Sequence, residues 1–284
     1  MGAQVSPGGT NVSVTEMNPP LVLPQTLHSF VVRRLADQAP WIVGRAGMHY
    51  RDLIPDRLGG SIIASHIRIP DGGPVPDMVH YHTVGFQLIF CYRGWVDLVY
   101  EDQGEPFRLH AGCCVIQPPE IRHRVLFASD NIEVIEIGVP AEHVTTIDHE
   151  MELPNGPANP DRVFQGQKFV HHKVEDAEWL PFRVPGFQSR DTTISQHTEG
   201  VAGVHVVRLG DGEASWSRHS TDILFTFVME GQVTLEGDGR DPYVLEPGDA
   251  FVIPPGHRTR LSDPSPDVEL LEVSLPGVFD TTLG

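Results

Sequence analysis

At 284 residues, with 40% apolar and 20% charged side chains, the chain has the size and composition of one large or two ordinary globular domains. Its 38 acidic residues outnumber 20 basic ones, and the formal net charge of −18 argues against nucleic acid or an anionic membrane as a partner. No apolar run approaches the ~20 residues that span a bilayer, and the three cysteines, two of them adjacent, build no disulfide framework and suit a reducing cytoplasm.

In chain order, Met1 to Pro20 lacks the positive and apolar regions of a signal peptide, and residues 1–28 read as a flexible tail. Beyond it, 28 glycines and 25 prolines punctuate short β-branched runs, which predicts many turns and an all-β chain. Phe30-Val31, Trp41, Gly47 and Arg51-Asp52 set up landmarks that return later. His66 and Arg68 share the parity of one strand face. His80 and His82 do the same, and Gln87 opens the next strand, Leu88-Ile89-Phe90, which Gly94 ends with a turn. Cys91 has the parity of Gln87, and a small buried residue is its first reading, with cavity lining as the alternative. Tyr81 and Tyr92 have the other parity and are expected to face outward. After Gly112 and Pro118-Pro119 come Glu120 and Arg122 on a turn, and then His123, which returns toward the same point. Three imidazoles and an amide are suited to a divalent first-row metal.

These residues resemble the paired motifs of the cupin superfamily. In the first motif, Gly73 precedes His80 and His82, Gln87 stands where a Glu is usual, and Gly94 follows. In the second, Gly112, Pro118 and His123 fit, while Glu120 replaces a glycine that normally eases the turn. The resemblance implies a site of three histidines and one glutamine, His80, His82, Gln87 and His123, for one divalent transition metal: Fe, Mn, Ni or Zn. Phe86-Gln87 and Gln117-Pro118-Pro119 further resemble a group of small bacterial cupins.

The landmarks recur at offsets of 136 to 139 residues: Phe30 with Phe169, Trp41 with Trp179, Arg51-Asp52 with Arg190-Asp191, His82 with His219, Gly112 with Gly248, Pro118-Pro119 with Pro254-Pro255. A shared offset of domain length implies duplication, not a short-period solenoid. The expected organisation is two tandem jelly-roll (double-stranded β-helix) barrels: residues 29–145 with the metal site, a Pro-rich linker over 146–168, and 169–284 with a degenerate site. There Ser217, His219, Leu224 and Thr259 replace the four ligands. His257, two residues early, is allowed but not favoured as a substitute. Phe225, Phe227, Val228 and Met229 suggest a packed interior or an apolar slot. Each Arg-Asp pair is expected to fix a loop through charge-assisted bonds.

Cupins host dioxygenases, isomerases, lyases, cyclases, decarboxylases, storage proteins and sensors, so the fold does not choose among them. An all-neutral ligand shell leaves the metal's charge available to polarise a carbonyl or enol oxygen. The expected function is therefore a metal-dependent enzyme performing Lewis-acid isomerisation, lyase or cyclase chemistry on a small oxygenated molecule. An Fe(II) dioxygenase of the three-histidine type and a non-catalytic binding or sensing bicupin are the alternatives. Catalytic candidates are His66, which titrates near neutrality, with Arg68 and Glu120. A small-molecule substrate is the expected partner, and the sequence admits a homodimer without requiring one.

Overall fold

The computed structural model describes residues 21, 23–44 and 47–284, so the first 20 residues of the expected tail lie outside the described residues. Two seven-stranded sheets and two smaller ones carry the architecture, with antiparallel pairing throughout. The expected all-β, tandem jelly-roll class holds. In the first half, Cys114–Ile116, Phe86–Arg93, Ile132–Val139, Ile63–Ile69 and His49–Asp52 lie side by side in one sheet. Facing it is a sheet of Thr145–Ile147, His80–His82, His123–Ala128, Trp95–Tyr100 and Phe107–His110. The second half repeats the plan with Ala250–Val252, Ile223–Glu230, Glu269–Leu275, Gly203–Leu209 and Phe187–Asp191 against Ser217–His219, Thr259–Ser262 and Val233–Gly237.

Strand alternation sorts the core into three parts. Leu88, Phe90, Tyr92, Ile135 and Ile137 point out of the first barrel and pack with Phe225, Phe227, Leu271 and Val273 of the second. Their neighbours of opposite parity, Cys91 and Val134, face into the first barrel. Val228, Leu270 and Phe251 fill the second barrel. Both long central strands are thus buried on both faces, which explains their near-continuous apolar runs. Phe225, Phe227 and Met229 therefore belong to the interface between barrels, not to an interior slot.

The halves also exchange strands. Val31–Arg33 pairs with Ala250–Val252 of the second barrel, and Val170–His172 pairs with Cys114–Ile116 of the first. The two arginines of the repeat cross in the same way. Arg51, fully buried, donates to Gly248 O, and Arg190 donates to Gly112 O at 2.8 Å. Each pair fixes loops through charge-assisted bonds, as expected, but the two members act on different loops. Asp52 accepts from the Ile54 amide and from Arg57 Nε, and Asp191 from the Thr193 amide, because adjacent strand residues point to opposite faces. The segment expected as a linker is also tied down. Thr145–Ile147 pairs with His80–His82, Arg162 pairs with Glu101 and Asp102, and Phe164 joins the first barrel's core.

Candidate metal centre

His80 and His123 are direct cross-strand partners, and His82 follows two residues after His80 on the same strand face. The ring centroids lie 4.2 Å apart for His80 and His123, 5.1 Å for His80 and His82, and 5.2 Å for His82 and His123. One nitrogen from each ring falls within 4.8 Å of the others. The turn that returns the chain to His123 places Glu120 at φ +64°, and its amide donates to His82 O at 3.0 Å. In the second barrel Gly256, at φ +75°, donates to His219 O at 2.8 Å. The glutamate therefore takes the glycine's left-handed conformation without changing the turn.

Hydrogen bonds at the outer nitrogens fix the rings. His80 Nδ1 lies 2.7 Å from Met78 O, with Asp77 Oδ1 at 3.6 Å, and His123 Nδ1 lies 2.9 Å from Ile121 O. A carbonyl has no proton to give, so Nδ1 carries the hydrogen in both rings and Nε2 carries the lone pair. His82 Nδ1 lies 2.9 Å from the Thr145 hydroxyl, which can accept in the same sense. Orientation of a ligating imidazole through its other nitrogen is the usual arrangement around a bound metal.

Gln87 is buried. Its Nε2 donates to Glu136 Oε1 at 2.7 Å, while its Oε1 has no hydrogen-bond partner among the described residues. A buried amide oxygen left in this state costs free energy unless a cation or a hydrogen-bond donor meets it. The converging nitrogens of His80, His82 and His123 are a donor set that fits a divalent first-row metal.

His80, His82 and His123 share the wall of a cavity of about 620 Å³, counted with its mouth. Much of the remaining wall is apolar, including Met48, Ile67, Ile69, Ile89 and Val134, with Tyr50, Tyr100, Gln117 and Glu136 as polar members. Gln117 Nε2 donates to the Tyr100 hydroxyl at 2.9 Å, and its Oε1 is buried without a partner among the described residues. Burial raises the Tyr100 pKa, so its phenol stays protonated. Sequence reasoning passed over Glu136. The signal was present: Ile132, Val134 and Glu136 share one parity, and Glu272 stands at the matching place in the second copy.

The expected catalytic residues lie elsewhere. Ile67 and Ile69 face the cavity, so His66 and Arg68 face away from it. His66 sits between Glu133 Oε2 at 2.5 Å and Arg51 Nη2 at 3.1 Å, against Trp41, Tyr92 and Phe227. Burial lowers its pKa despite the Glu133 bond. Arg68 stacks over Trp41 at 4.8 Å, as Arg208 does over Trp179 at 3.8 Å in the second copy, so this pairing belongs to the repeat. Glu120 serves the turn through its backbone and is not in the cavity wall. Cys91 is fully buried and its thiol is pushed up to about 12, chiefly by burial, which fits the small-apolar reading. Tyr92 leaves the barrel as expected and donates to Met229 O at 2.8 Å.

Comparison with known proteins supplies a family for part of the chain. Residues 203–274 match the family model of the cupin domain. No curated protein sequence matches the chain. Among solved structures, the fold is similar to salicylate 1,2-dioxygenase from Pseudaminobacter salicylatoxidans, with 15% identity over 96% of this chain and 94% of that one and a TM-score of 0.67. It is also similar to a mutant of Bacillus subtilis oxalate decarboxylase, with 12% identity over 92% of this chain and 81% of that one and a TM-score of 0.66. At these identities the likeness is one of fold. The family match falls on the second barrel, whereas the histidine cluster is in the first. No helix among the described residues is long and apolar enough to cross a membrane.

Proposed function

We propose that this two-barrel chain of the cupin fold is a metal-dependent enzyme whose centre lies in the first barrel. His80, His82 and His123 would hold the ion through Nε2, with Gln87 contributing Oε1. The observation that carries the reading is the set of outer bonds, from Met78 O, Ile121 O and Thr145 Oγ1, that orients three converging imidazoles toward one point, with the two carbonyls setting the lone pair of His80 and His123 on the inner nitrogen.

When bound, a divalent metal supplies Lewis-acid polarisation of a carbonyl or enolate oxygen. The chain's own residues supply the rest. Glu136, in the same wall and bonded to Gln87, is placed to accept a proton from the carbon or hydroxyl beside that carbonyl and to return it elsewhere. It takes the part expected of His66. Tyr100 and Gln117 are placed to orient a substrate oxygen. The apolar wall excludes water, which strengthens each polar interaction inside. The substrate class is a small hydroxy-ketone, diketone or hydroxy-acid, and the reaction is isomerisation, lyase or cyclase chemistry.

Metal analysis of protein purified without added metal tests the centre: about one first-row ion per chain is expected, lost in His82→Ala and kept in His219→Ala. Proton abstraction is tested with acetoin in D₂O, where the metal-loaded protein should exchange the α-hydrogen and Glu136→Gln should not. O₂ consumption on adding substrate would favour the dioxygenase alternative and overturn the non-redox reading.

A further inference from the structure

The duplicated plan gives the first barrel's cavity an internal control. Gln117 and Ile253 are equivalent, since the Gln117 amide donates to Gln87 O at 2.9 Å and the Ile253 amide donates to Leu224 O at 3.2 Å. Tyr100 and Gly237 are equivalent too, since Tyr100 lies opposite His123 and Gly237 lies opposite Thr259. The second barrel therefore builds the same strands with an isoleucine and a glycine. The fold requires neither an amide nor a phenol at these places. Yet the barrel with the histidine cluster has both, and both are in its cavity wall.

The amide of Gln117 is satisfied at one end only. Its Nε2 donates to the Tyr100 hydroxyl, and the Tyr100 ring stacks on that of His123 with centroids 5.5 Å apart, so this end is pinned. At the other end Gln117 Oε1 is buried and meets no donor among the described residues. Only 5% of the residue is exposed, and burying an unmet acceptor costs free energy that the second barrel's isoleucine avoids. An acceptor held in a cavity wall at that cost is matched by a ligand that brings a donor. The rest of the wall restricts what that ligand can be. Among the described residues it has neither arginine nor lysine, and its one carboxylate is Glu136, so no side chain there balances an anion. Ile67, Ile69, Ile89, Leu98 and Val134 give it an aliphatic surface.

We propose that Gln117 is the specificity-determining residue of this cavity, and that it selects an uncharged molecule with an aliphatic body and a hydroxyl group that donates to Gln117 Oε1. The inference rests on the metal-dependent reading above and narrows its substrate class to hydroxy-ketones. A diketone without a hydroxyl would leave Gln117 Oε1 unmet. A hydroxy-acid would bring a second carboxylate into a cavity whose wall holds Glu136 and no cationic side chain. A site built to bond a substrate hydroxyl discriminates strongly against analogues that lack it, because its own buried polar group is then left unpaired.

The test uses the full chain after chelator treatment, so that only its own side chains act, titrated by calorimetry at neutral pH with cyclohexanol, cyclohexanone and cyclohexanecarboxylate. The three share a ring and differ in donor and charge. Cyclohexanol is expected to bind about fivefold or more tightly than cyclohexanone, and about tenfold or more tightly than the carboxylate. Gln117→Ile, which installs the side chain of the second copy, should bring cyclohexanol and cyclohexanone to within about twofold while cyclohexanone itself moves little. A Gln117 with a merely structural role would leave that ratio unchanged. Equal or tighter binding of cyclohexanone or of the carboxylate by the parent, no saturation by about 50 mM cyclohexanol, or an alcohol preference that survives in Gln117→Ile would each overturn the proposal. If Gln117→Ile does not fold, Gln117→Leu and the parent's order of the three ligands still decide the matter. Metal content is measured separately. A chain that holds metal but shows no alcohol preference loses this inference and keeps the metal centre, and a chain that shows the preference but holds no metal does the reverse.

Discussion

Thr145→Val isolates the one ring-orienting bond that a side-chain substitution can remove. His80 and His123 are held by backbone carbonyls at 2.7 and 2.9 Å, which no substitution at those acceptors deletes. His82 depends on the Thr145 hydroxyl at 2.9 Å. Valine keeps the shape and β-branching of threonine, and residue 145 is exposed, so the fold should lose little, within about 0.5 kcal/mol. The metal should feel the change far more. Without the hydroxyl at Nδ1, the His82 ring loses part of its fixed rotation, and loss of such a partner typically costs about 10- to 100-fold in metal affinity. Two of three rings stay anchored, so the lower end, about tenfold or ~1.4 kcal/mol, is the expected size. Competition with a chromogenic chelator measures it on the apo protein reloaded with Zn²⁺ or Mn²⁺. Thr145→Ser restores the hydroxyl and should recover most of the affinity. A Thr145→Val protein that binds metal as tightly as the parent, with unchanged stability, would show that the Nδ1 bonds do not prepare the rings.

Other outcomes follow from the same geometry. Gln87→Glu would set two carboxylates about where Gln87 and Glu136 now meet at 2.7 Å, so in the metal-free protein one of them should titrate above its unfolded value. That contribution is present at low pH and lost as pH rises through the raised pKa, so urea denaturation should find the variant, relative to parent, about 1–3 kcal/mol worse at pH 8 than at pH 4.5; a flat difference would refute the pairing. Glu120→Gly should stabilise by up to about 1 kcal/mol because Glu120 sits at φ +64°, and Gly256→Ala at φ +75° should destabilise by a similar amount; opposite signs in denaturant titrations would be contrary to the turn argument. Burial depresses His171 to about 4 and also lowers His66, His172 and His219. Their neutral forms contribute stability above pH ~6.5, and it drains away as pH falls toward the depressed folded values. His171→Phe, stacking on Phe107 as the imidazole does at 4.2 Å, should flatten the stability profile between about pH 6.5 and 4; an unchanged profile would rule His171 out as a contributor.

The duplicated plan was legible in sequence because His82, Gly112 and the proline pair recur at one offset, and a shared offset survives even where chemistry has drifted. Convergence of His80, His82 and His123 was legible for a related reason: two-residue spacing fixes a strand face. What parity could not supply was which face is inside. Strand Ile63–Ile69 is half-buried or buried along its whole length, since one side meets the cavity and the other the second barrel. His66 therefore looked eligible for the cavity while Ile67 and Ile69 held it. The same two-sided burial hid Glu136, whose neighbours Ile135 and Ile137 serve the interface between barrels. The crossing of Arg51 and Arg190 was invisible because its acceptors, Gly248 O and Gly112 O, are backbone atoms that no residue type announces.

The traded strands have a consequence for what counts as a unit. Val31–Arg33 completes a sheet whose other members begin near residue 180, and Val170–His172 completes one made from residues 42–139. Each half, cut free, would show a bare sheet edge and carry a leading strand with nowhere to lie. Two copies of one half could satisfy both needs by lending each other that strand, which is the arrangement of a domain-swapped homodimer. The chain has the form of such a dimer written into one polypeptide, with the segment between residues 147 and 170 as the splice. Gene duplication of a swapped ancestor would give this connectivity directly, and would let one copy lose its ligands while its strand continued to serve the other.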